Sequence, residues 1–259
     1  MSMPGYVRKA LVQFQHPVPE KPEHQPYESA KPAYSAKVQY AKEVLESPKL
    51  NKEDKKYVQQ VIGVFLFYGR AVDGTMLCPL SAIAMDQASP TQATLKKVKK
   101  FLDYAATHPD AIITYRKSDM ILAGDSDASY LSERGARSRA GGHFFMSSDK
   151  PIPPNNGEVL TIAQLIKAVM SSAAEAEIGA LFINAREAVP AWKTLQEIGH
   201  SQGCKPIQTD NTTALGVVNS NIQPRKTKAM DMRWHWLRCR DSQGQFRYFW
   251  RPGPTNKGD

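Results

Sequence analysis

The chain has 259 residues, which is enough for two domains of ordinary size. Its hydrophobic share of 41% and charged share of 23% lie near the globular average and exclude a wholly disordered chain. No apolar run approaches the ~20 residues of a membrane-spanning helix, and the first residues lack the apolar core of a secretory signal. A net charge of +9 favours a polyanionic partner such as a nucleic-acid backbone, although many basic proteins bind none.

Three zones follow one another along the chain. Residues 1–50 are rich in proline from position 15 onward, and we expect an extended linker there, with low-complexity disorder as the competing interpretation. Residues 51–111 have helical periodicity, and residues 112–259 change to alternating strands and helices. The three cysteines are far apart and odd in number, which favours a reducing cytosolic or nuclear compartment over a disulfide framework.

The helical zone is predicted from caps and apolar spacing. Asn51 is placed to cap a first helix, and residues 76–85 form a second apolar stretch. Ser89 and Pro90 predict the N-cap and first position of a third helix, which should end at His108. The lysines of this third helix indicate either a solvated face or a surface for phosphates.

The third zone is predicted to form a mixed α/β sheet. The predicted strands are residues 112–115 paired with 120–123, then 142–147, 158–162, 205–209 and 244–250. The predicted helices are residues 172–188, 190–198, 211–219 and 227–239.

Three carboxylates stand where such a fold could bring them together. Asp127 follows a buried strand, Glu177 lies in the first turns of a helix, and Asp210 lies where a strand ends and a helix begins. Each has an ordinary structural interpretation when taken alone: Asp210 as a helix N-cap and Glu177 as a partner of the helix dipole. Their order and local contexts together point to a shared site.

The motifs around these acids resemble the ribonuclease H domain of copia-type LTR retrotransposons. Ser-Asp-Ala-Ser-Tyr at 126–130 is similar to the first-aspartate motif, and Ser-Ser-Ala-Ala-Glu-Ala-Glu-Ile at 171–178 to the glutamate motif. Thr-Asp-Asn-Thr-Thr-Ala at 209–214 is similar to the second-aspartate motif. Residues 225–235 resemble the family's following helix, and residues 252–259 resemble its closing segment. The resemblance implies a ribonuclease H-like mixed sheet flanked by helices over residues 112–259.

The resemblance extends upstream of this domain. Residues 57–69 and 90–104 look like the thumb and connection region that precedes ribonuclease H in these reverse transcriptases, and residues 3–11 look like the last edge of the palm. No Tyr-x-Asp-Asp motif occurs in the chain, so we expect no DNA synthesis. The chain is therefore expected to be a C-terminal part of a polyprotein whose palm, fingers and integrase are its partners.

The resemblance also implies which acids act. Asp127 is favoured over Asp125 by the family's spacing. Glu177 is favoured as the inward ligand, with Glu175 nearer solvent, because residues two apart on a helix face away from each other. Asp210 is the third acid. Asp259 takes the fourth position, with Asp231 as the alternative.

The implied activity is hydrolysis of the RNA strand of an RNA–DNA hybrid, with catalytic residues that hold two Mg²⁺ ions, for which Mn²⁺ can substitute. Arg134, Arg137 and Arg139 are candidates to contact the hybrid, or else belong to a solvated turn. The expected location is the cytoplasm, in virus-like particles, or the nucleus, with no membrane partner. The alternative is a catalytically inactive nucleic-acid-binding remnant; an integrase or other nuclease of the same fold is disfavoured by the helices upstream.

Overall fold

The computed structural model describes residues 1–28, 47–133, 135–219 and 231–258. Within these ranges the chain divides into two compact units, which meet in sequence at Thr114 and Tyr115. No helix of the described ranges is both long and apolar enough to cross a membrane.

The first unit is a helical bundle. Its helices are α1 (Tyr6–Gln13), α2 (Lys52–Ala71), α3 (Leu77–Ala84) and α4 (Gln92–Thr107). The side chain of Asn51 caps α2 as predicted, by accepting a hydrogen bond from the backbone N–H of Asp54 at 2.7 Å. The core combines Val7, Phe65, Phe101 and neighbouring apolar residues from all four helices.

Two predictions in this region are wrong. Residues 1–50 were expected to be extended, yet α1 forms there because Val7, Ala10 and Leu11 recur on one face and are buried. The N-cap of α4 is Thr91 rather than Ser89, since Thr91 and Thr94 exchange side-chain and backbone hydrogen bonds in a capping box. The predicted linker beyond residue 28 lies largely outside the described residues.

The second unit contains a five-stranded sheet. Its strands are β1 (Ile121–Glu133), β2 (Arg137–Ser147), β3 (Glu158–Ile166), β4 (Lys205–Thr209) and β5 (Phe246–Trp250), in the order β3-β2-β1-β4-β5. β1 is antiparallel to β2 and β2 to β3, whereas β1, β4 and β5 are parallel. The predicted mixed sheet is confirmed.

Helices flank this sheet. The long helix α5 (Ala173–Glu197) packs against β1 to β4, and α6 (Thr212–Val218) and α7 (Asp231–Ser242) pack against β5. The core between them includes Leu122, Phe144, Leu181 and Ile207, each with 1% exposure or less.

Several boundaries differ from the sequence prediction: β1 and β2, for example, extend well beyond the predicted 120–123 and 142–147. In two places the elements themselves differ. Residues 112–115 form no strand of the sheet; Ile112 makes an isolated bridge with Ser2 in the first unit instead. The two helices predicted on either side of Val189 are one helix, with Pro190 inside it.

Candidate metal centre

Parallel pairing of β1 with β4 places two aspartates at one edge of the sheet. The register joins Gly124 to Ile207 and Asp125 to Gln208. Asp127 and Asp210 each lie two residues beyond that last pair. β4 ends one residue before Asp210, whereas β1 continues past Asp127 to Glu133, so the expectation that Asp127 follows its strand is wrong. Both side chains reach the same place because each lies just beyond the pairing of β1 with β4.

The third acid comes from the start of α5. The Ser172 hydroxyl caps this helix by accepting a hydrogen bond from the backbone N–H of Glu175 at 3.2 Å. The Glu175 carboxylate accepts in turn from the backbone N–H of Ser171 at 2.8 Å. Glu175 is thus buried and used by the helix terminus, which corrects the prediction that it lies nearer solvent. Glu177, one half-turn further, is also buried and faces the two aspartates.

Asp210 is not a helix cap. The N-cap of α6 is the next residue, Asn211, whose side chain accepts from the backbone N–H of Ala214 at 2.8 Å. Trp250 of β5 donates its indole N–H to the backbone carbonyl of Asp210 at 2.9 Å and fixes this turn. The interpretation of Asp210 as a helix cap is therefore wrong, and its carboxylate lies in the cluster.

The three carboxylates converge. One oxygen of each of Asp127, Glu177 and Asp210 lies within 4.8 Å of the others. Carboxylates this close repel one another unless cations or protons offset their charge. A spread of this size matches ligands shared between two divalent ions about 3.5–4 Å apart. Oxygen-only donors suit Mg²⁺ or Mn²⁺. The residues present therefore fit the implied metal ions.

The neighbouring acid, Asp125, has a different environment. It is 1% exposed, and its carboxylate accepts a hydrogen bond from the backbone N–H of Lys257 at 3.2 Å. Burial raises the pKa of Asp125, and that hydrogen bond only partly opposes the shift. The geometry brings Asp127 and not Asp125 into the triad.

The closing segment, residues 251–258, runs beside the cluster. An ideal Cβ on Gly253 would lie 3.0 Å from an Asp210 carboxylate oxygen, and one on Gly141 would lie 2.0 Å from the Gly258 carbonyl oxygen. Gly258 thus lies against Gly141, the register partner of Asp127. Asp259, the predicted fourth acid, lies outside the described residues, as does the side chain of its alternative, Asp231.

The three arginines proposed to contact nucleic acid differ in position. Arg137 begins β2 and is exposed. Arg139 is only 5% exposed, and its Nε donates to the Glu133 carboxylate at 2.7 Å, so this buried side chain is not placed to contact a hybrid. Arg134 lies outside the described residues.

Two buried asparagines near the cluster were not predicted as site residues, although Asn256 lies within the closing segment at 252–259. Asn184 and Asn256 both donate hydrogen bonds to Ser126, which precedes Asp127. The sequence signal for Asn184 is an amide seven residues after Glu177, on the same face of the helix and among the apolar residues 178–183.

Comparison with known proteins gives one curated relative. No protein-family model matches the chain. The chain is 27% identical over 150 residues to the retrovirus-related Pol polyprotein from transposon TNT 1-94 of Nicotiana tabacum. The match covers 58% of this chain and 11% of the polyprotein, so the chain spans about a tenth of that relative's length.

Solved structures give more distant likenesses. The N-terminal ribonuclease H domain of a Mycobacterium tuberculosis protein has a TM-score of 0.38 and 14% identity, covering 53% of this chain and 86% of that chain. The foamy viral protease-reverse transcriptase in complex with double-stranded DNA has a TM-score of 0.45 and 12% identity, covering 82% of this chain and 40% of that chain. The predicted similarity to a retrotransposon Pol polyprotein is confirmed, and the strand order and directions given above confirm the predicted mixed sheet flanked by helices.

Proposed function

We propose that this protein is an endonuclease that hydrolyses the RNA strand of RNA–DNA hybrids and forms part of a copia-type retrotransposon reverse transcriptase. The observation that carries the proposal is the convergence of Asp127, Glu177 and Asp210 within 4.8 Å. The partial identity to a transposon Pol polyprotein supports the same assignment.

The metal ions we propose are Mg²⁺, with Mn²⁺ as a substitute. When bound, such ions would supply Lewis-acid stabilisation of the charge that develops at the scissile phosphate. The task of this chain is to hold the ligands in place: Asp127 within β1 and Asp210 directly after β4, each two residues beyond the last pair of these parallel strands, and Glu177 on a buried helical turn. Asp259 is proposed as the fourth ligand, because the closing segment brings Gly258 against the register partner of Asp127.

Substrate binding is proposed to rest on the phosphate backbone and the 2′-hydroxyl groups of the RNA strand. The net charge of +9 supports attraction of a polyanion, and the exposed Arg137 is the candidate contact that remains among the described arginines of the first-aspartate region. The other parts of a reverse transcriptase polyprotein are proposed partners, in the cytoplasm or the nucleus.

The test is cleavage of a hybrid whose RNA strand carries an end label, with single-stranded RNA and duplex DNA of the same sequence as substrate controls. With Mg²⁺ we expect the wild type to cut only the RNA of the hybrid, and Asp127→Asn to cut at background level. The matched control is Glu187→Gln, which removes a half-exposed carboxylate from α5 beside its salt-bridge partner Arg186 and should leave cleavage unchanged.

Two outcomes would contradict the proposed endonuclease, and a third measurement tests whether cutting depends on metal. Equal cutting by the wild type and Asp127→Asn would assign the activity to a contaminant and end the proposal. A wild type that binds Mn²⁺ and hybrid without cutting would favour the inactive remnant. EDTA should abolish cutting, and added Mg²⁺ should restore it.

A further inference from the structure

Ser126, the residue between Asp125 and Asp127, is held from two sides by buried amides. It is fully buried in β1. Asn184 donates from Nδ2 to the Ser126 hydroxyl oxygen at 2.8 Å, and Asn256 donates from Nδ2 to the Ser126 backbone carbonyl at 3.0 Å. We call these three residues the asparagine clamp.

The first half of the clamp ties α5 to the sheet. Asn184 lies seven residues, or two helical turns, after Glu177. Its Nδ2 also donates to the Gly141 carbonyl at 2.8 Å, and Gly141 is the register partner of Asp127. A Cβ on Gly142 would lie 2.0 Å from the Asn184 Oδ1, so glycine is needed for this approach. A single amide thus joins α5, which bears Glu177, to β1, which bears Asp127, and to the neighbouring strand β2.

The second half ties the closing segment to β1. The Asn256 side chain is 6% exposed, and its Oδ1 accepts from the backbone N–H of Gly258 at 3.0 Å. The backbone N–H of Lys257, which lies between these two residues, donates to the Asp125 carboxylate. These hydrogen bonds fix the position of the closing segment against β1, the strand that bears Asp127.

Stability alone does not account for the amide of Asn184. Asn184 is fully buried, and its Oδ1 has no hydrogen-bond partner in the part of the chain that the structure describes. Burying an unsatisfied acceptor is unfavourable and offsets part of what the two hydrogen bonds donated by this amide contribute. A role in positioning the metal ligands gives a reason for the amide at this position.

We propose that Asn184 and Asn256 are positioning residues that set the distance of Asp127 from Glu177 and Asp210, and through it the affinity of the centre for divalent ions. This inference rests on the proposed metal centre. Residues that orient metal ligands typically contribute 10–100-fold to metal affinity. Because the clamp acts through Ser126, we expect the lower end of that range.

The experiment measures Mn²⁺ binding to the full chain by isothermal titration calorimetry, beside unfolding in urea. Asn184→Leu and Asn256→Ala should each weaken Mn²⁺ binding about tenfold. The matched control is Gln202→Leu. Gln202 is another buried amide, and it holds the opposite end of β1 by accepting from the N–H of Leu122 at 3.0 Å and donating to the Met120 carbonyl at 2.7 Å. The Gln202→Leu variant should lose stability and keep the wild-type Mn²⁺ affinity.

Failure of the clamp and failure of the metal centre give different results. If Asp127→Asn binds Mn²⁺ like the wild type, the centre itself is wrong. If Asp127→Asn loses binding while both asparagine variants keep it, the clamp is wrong and the proposed function stands. Equal losses of affinity in Gln202→Leu would assign the effect to general destabilisation and also overturn the clamp. Should Asn184→Leu fail to fold, Ser126→Ala removes only one acceptor and should still weaken Mn²⁺ binding.

Discussion

Glu175 and Glu177 show how neighbouring residues of one type are separated in function by local hydrogen bonds. Glu175 is used by the terminus of α5, where its carboxylate accepts from Ser171, while Glu177 lies in the triad. The sequence supports the choice of Glu177 through its motif. The burial of Glu175 could not be predicted, because it depends on a bend at Ser171 that turns the preceding N–H back towards the helix.

This division predicts opposite effects of two glutamine substitutions. Glu177→Gln should abolish Mn²⁺ binding in calorimetric titration, because one charged ligand is lost. Glu175→Gln should keep binding and lower the free energy of unfolding by about 0.5–1.5 kcal/mol, because a charged acceptor becomes a neutral one. A loss of Mn²⁺ binding in Glu175→Gln alone would exchange the two assignments.

Lys205 gives a second prediction at the residue scale, one that concerns pH. Lys205 is the first residue of β4 and is 4% exposed. Its Nζ lies 4.1 Å from the centre of the Trp192 ring. Burial lowers the pKa of the Lys205 ammonium below its ordinary value. Between the lowered pKa and the ordinary value of about 10.4, the unfolded chain binds more protons than the folded chain. Stability from this group therefore rises with pH in that window, and the full penalty is present below it.

Lys205→Met removes this titration. Relative to the wild type, the variant should be more stable at pH 7, and its advantage should shrink at pH 9.5, as measured by urea unfolding at both values. Lys193→Met, at an exposed position near Trp192 in sequence, is the control for the loss of a lysine. An advantage that is the same at both pH values would contradict the assignment.

At the scale of elements, hydrophobic periodicity predicted most helices and strands but not their ends. β4 coincides with its predicted range, because Lys205 to Thr209 is a short buried run between turn residues. α5 was divided wrongly at Pro190, since a proline at the start of a helix and one in its interior look alike in sequence. Packing of α5 across four strands overrides the local preference to end.

Pro190 therefore weakens a helix that tertiary contacts maintain. Proline at this position removes the hydrogen bond to the carbonyl of Arg186, and its side chain is exposed. Pro190→Ala should raise the free energy of unfolding by about 2–2.6 kcal/mol, once the greater entropy of the unfolded variant (about 0.4–1 kcal/mol) is subtracted from the ~3 kcal/mol helix penalty. Chemical denaturation measures this. A destabilised variant would show that the proline ring itself packs in the fold.

The same substitution tests how local the metal centre is. Pro190 lies 13 residues from Glu177, roughly 20 Å along the helix axis. Mn²⁺ affinity should therefore be unchanged in Pro190→Ala, in contrast to the asparagine clamp variants.

The convergence of the triad was predictable from motif order, but its supporting amides were not, because their partners are 58 and 130 residues away in sequence.

At the scale of the whole molecule, the chain has two hydrophobic cores that share no buried residue in the described ranges. Each core gains its stability from its own apolar burial, so two unfolding transitions are expected in calorimetry. The metal centre belongs to the unit with the sheet. A ligand that binds only the folded form raises the transition of the unit that holds it. Mn²⁺ should therefore raise one transition and leave the other in place.

Phe101→Ala identifies the other transition. Phe101 is fully buried in the helical unit and makes an edge-on contact with Phe65, with ring centres 5.1 Å apart. Its truncation should cost about 3–5 kcal/mol and lower the transition that Mn²⁺ does not affect. Asp127→Asn, in contrast, should leave that transition unchanged and remove the Mn²⁺ response of its counterpart. If one transition responded to both Phe101→Ala and Mn²⁺, the two cores would unfold as one cooperative unit, and damage to the helical unit would then reach the metal centre through stability alone.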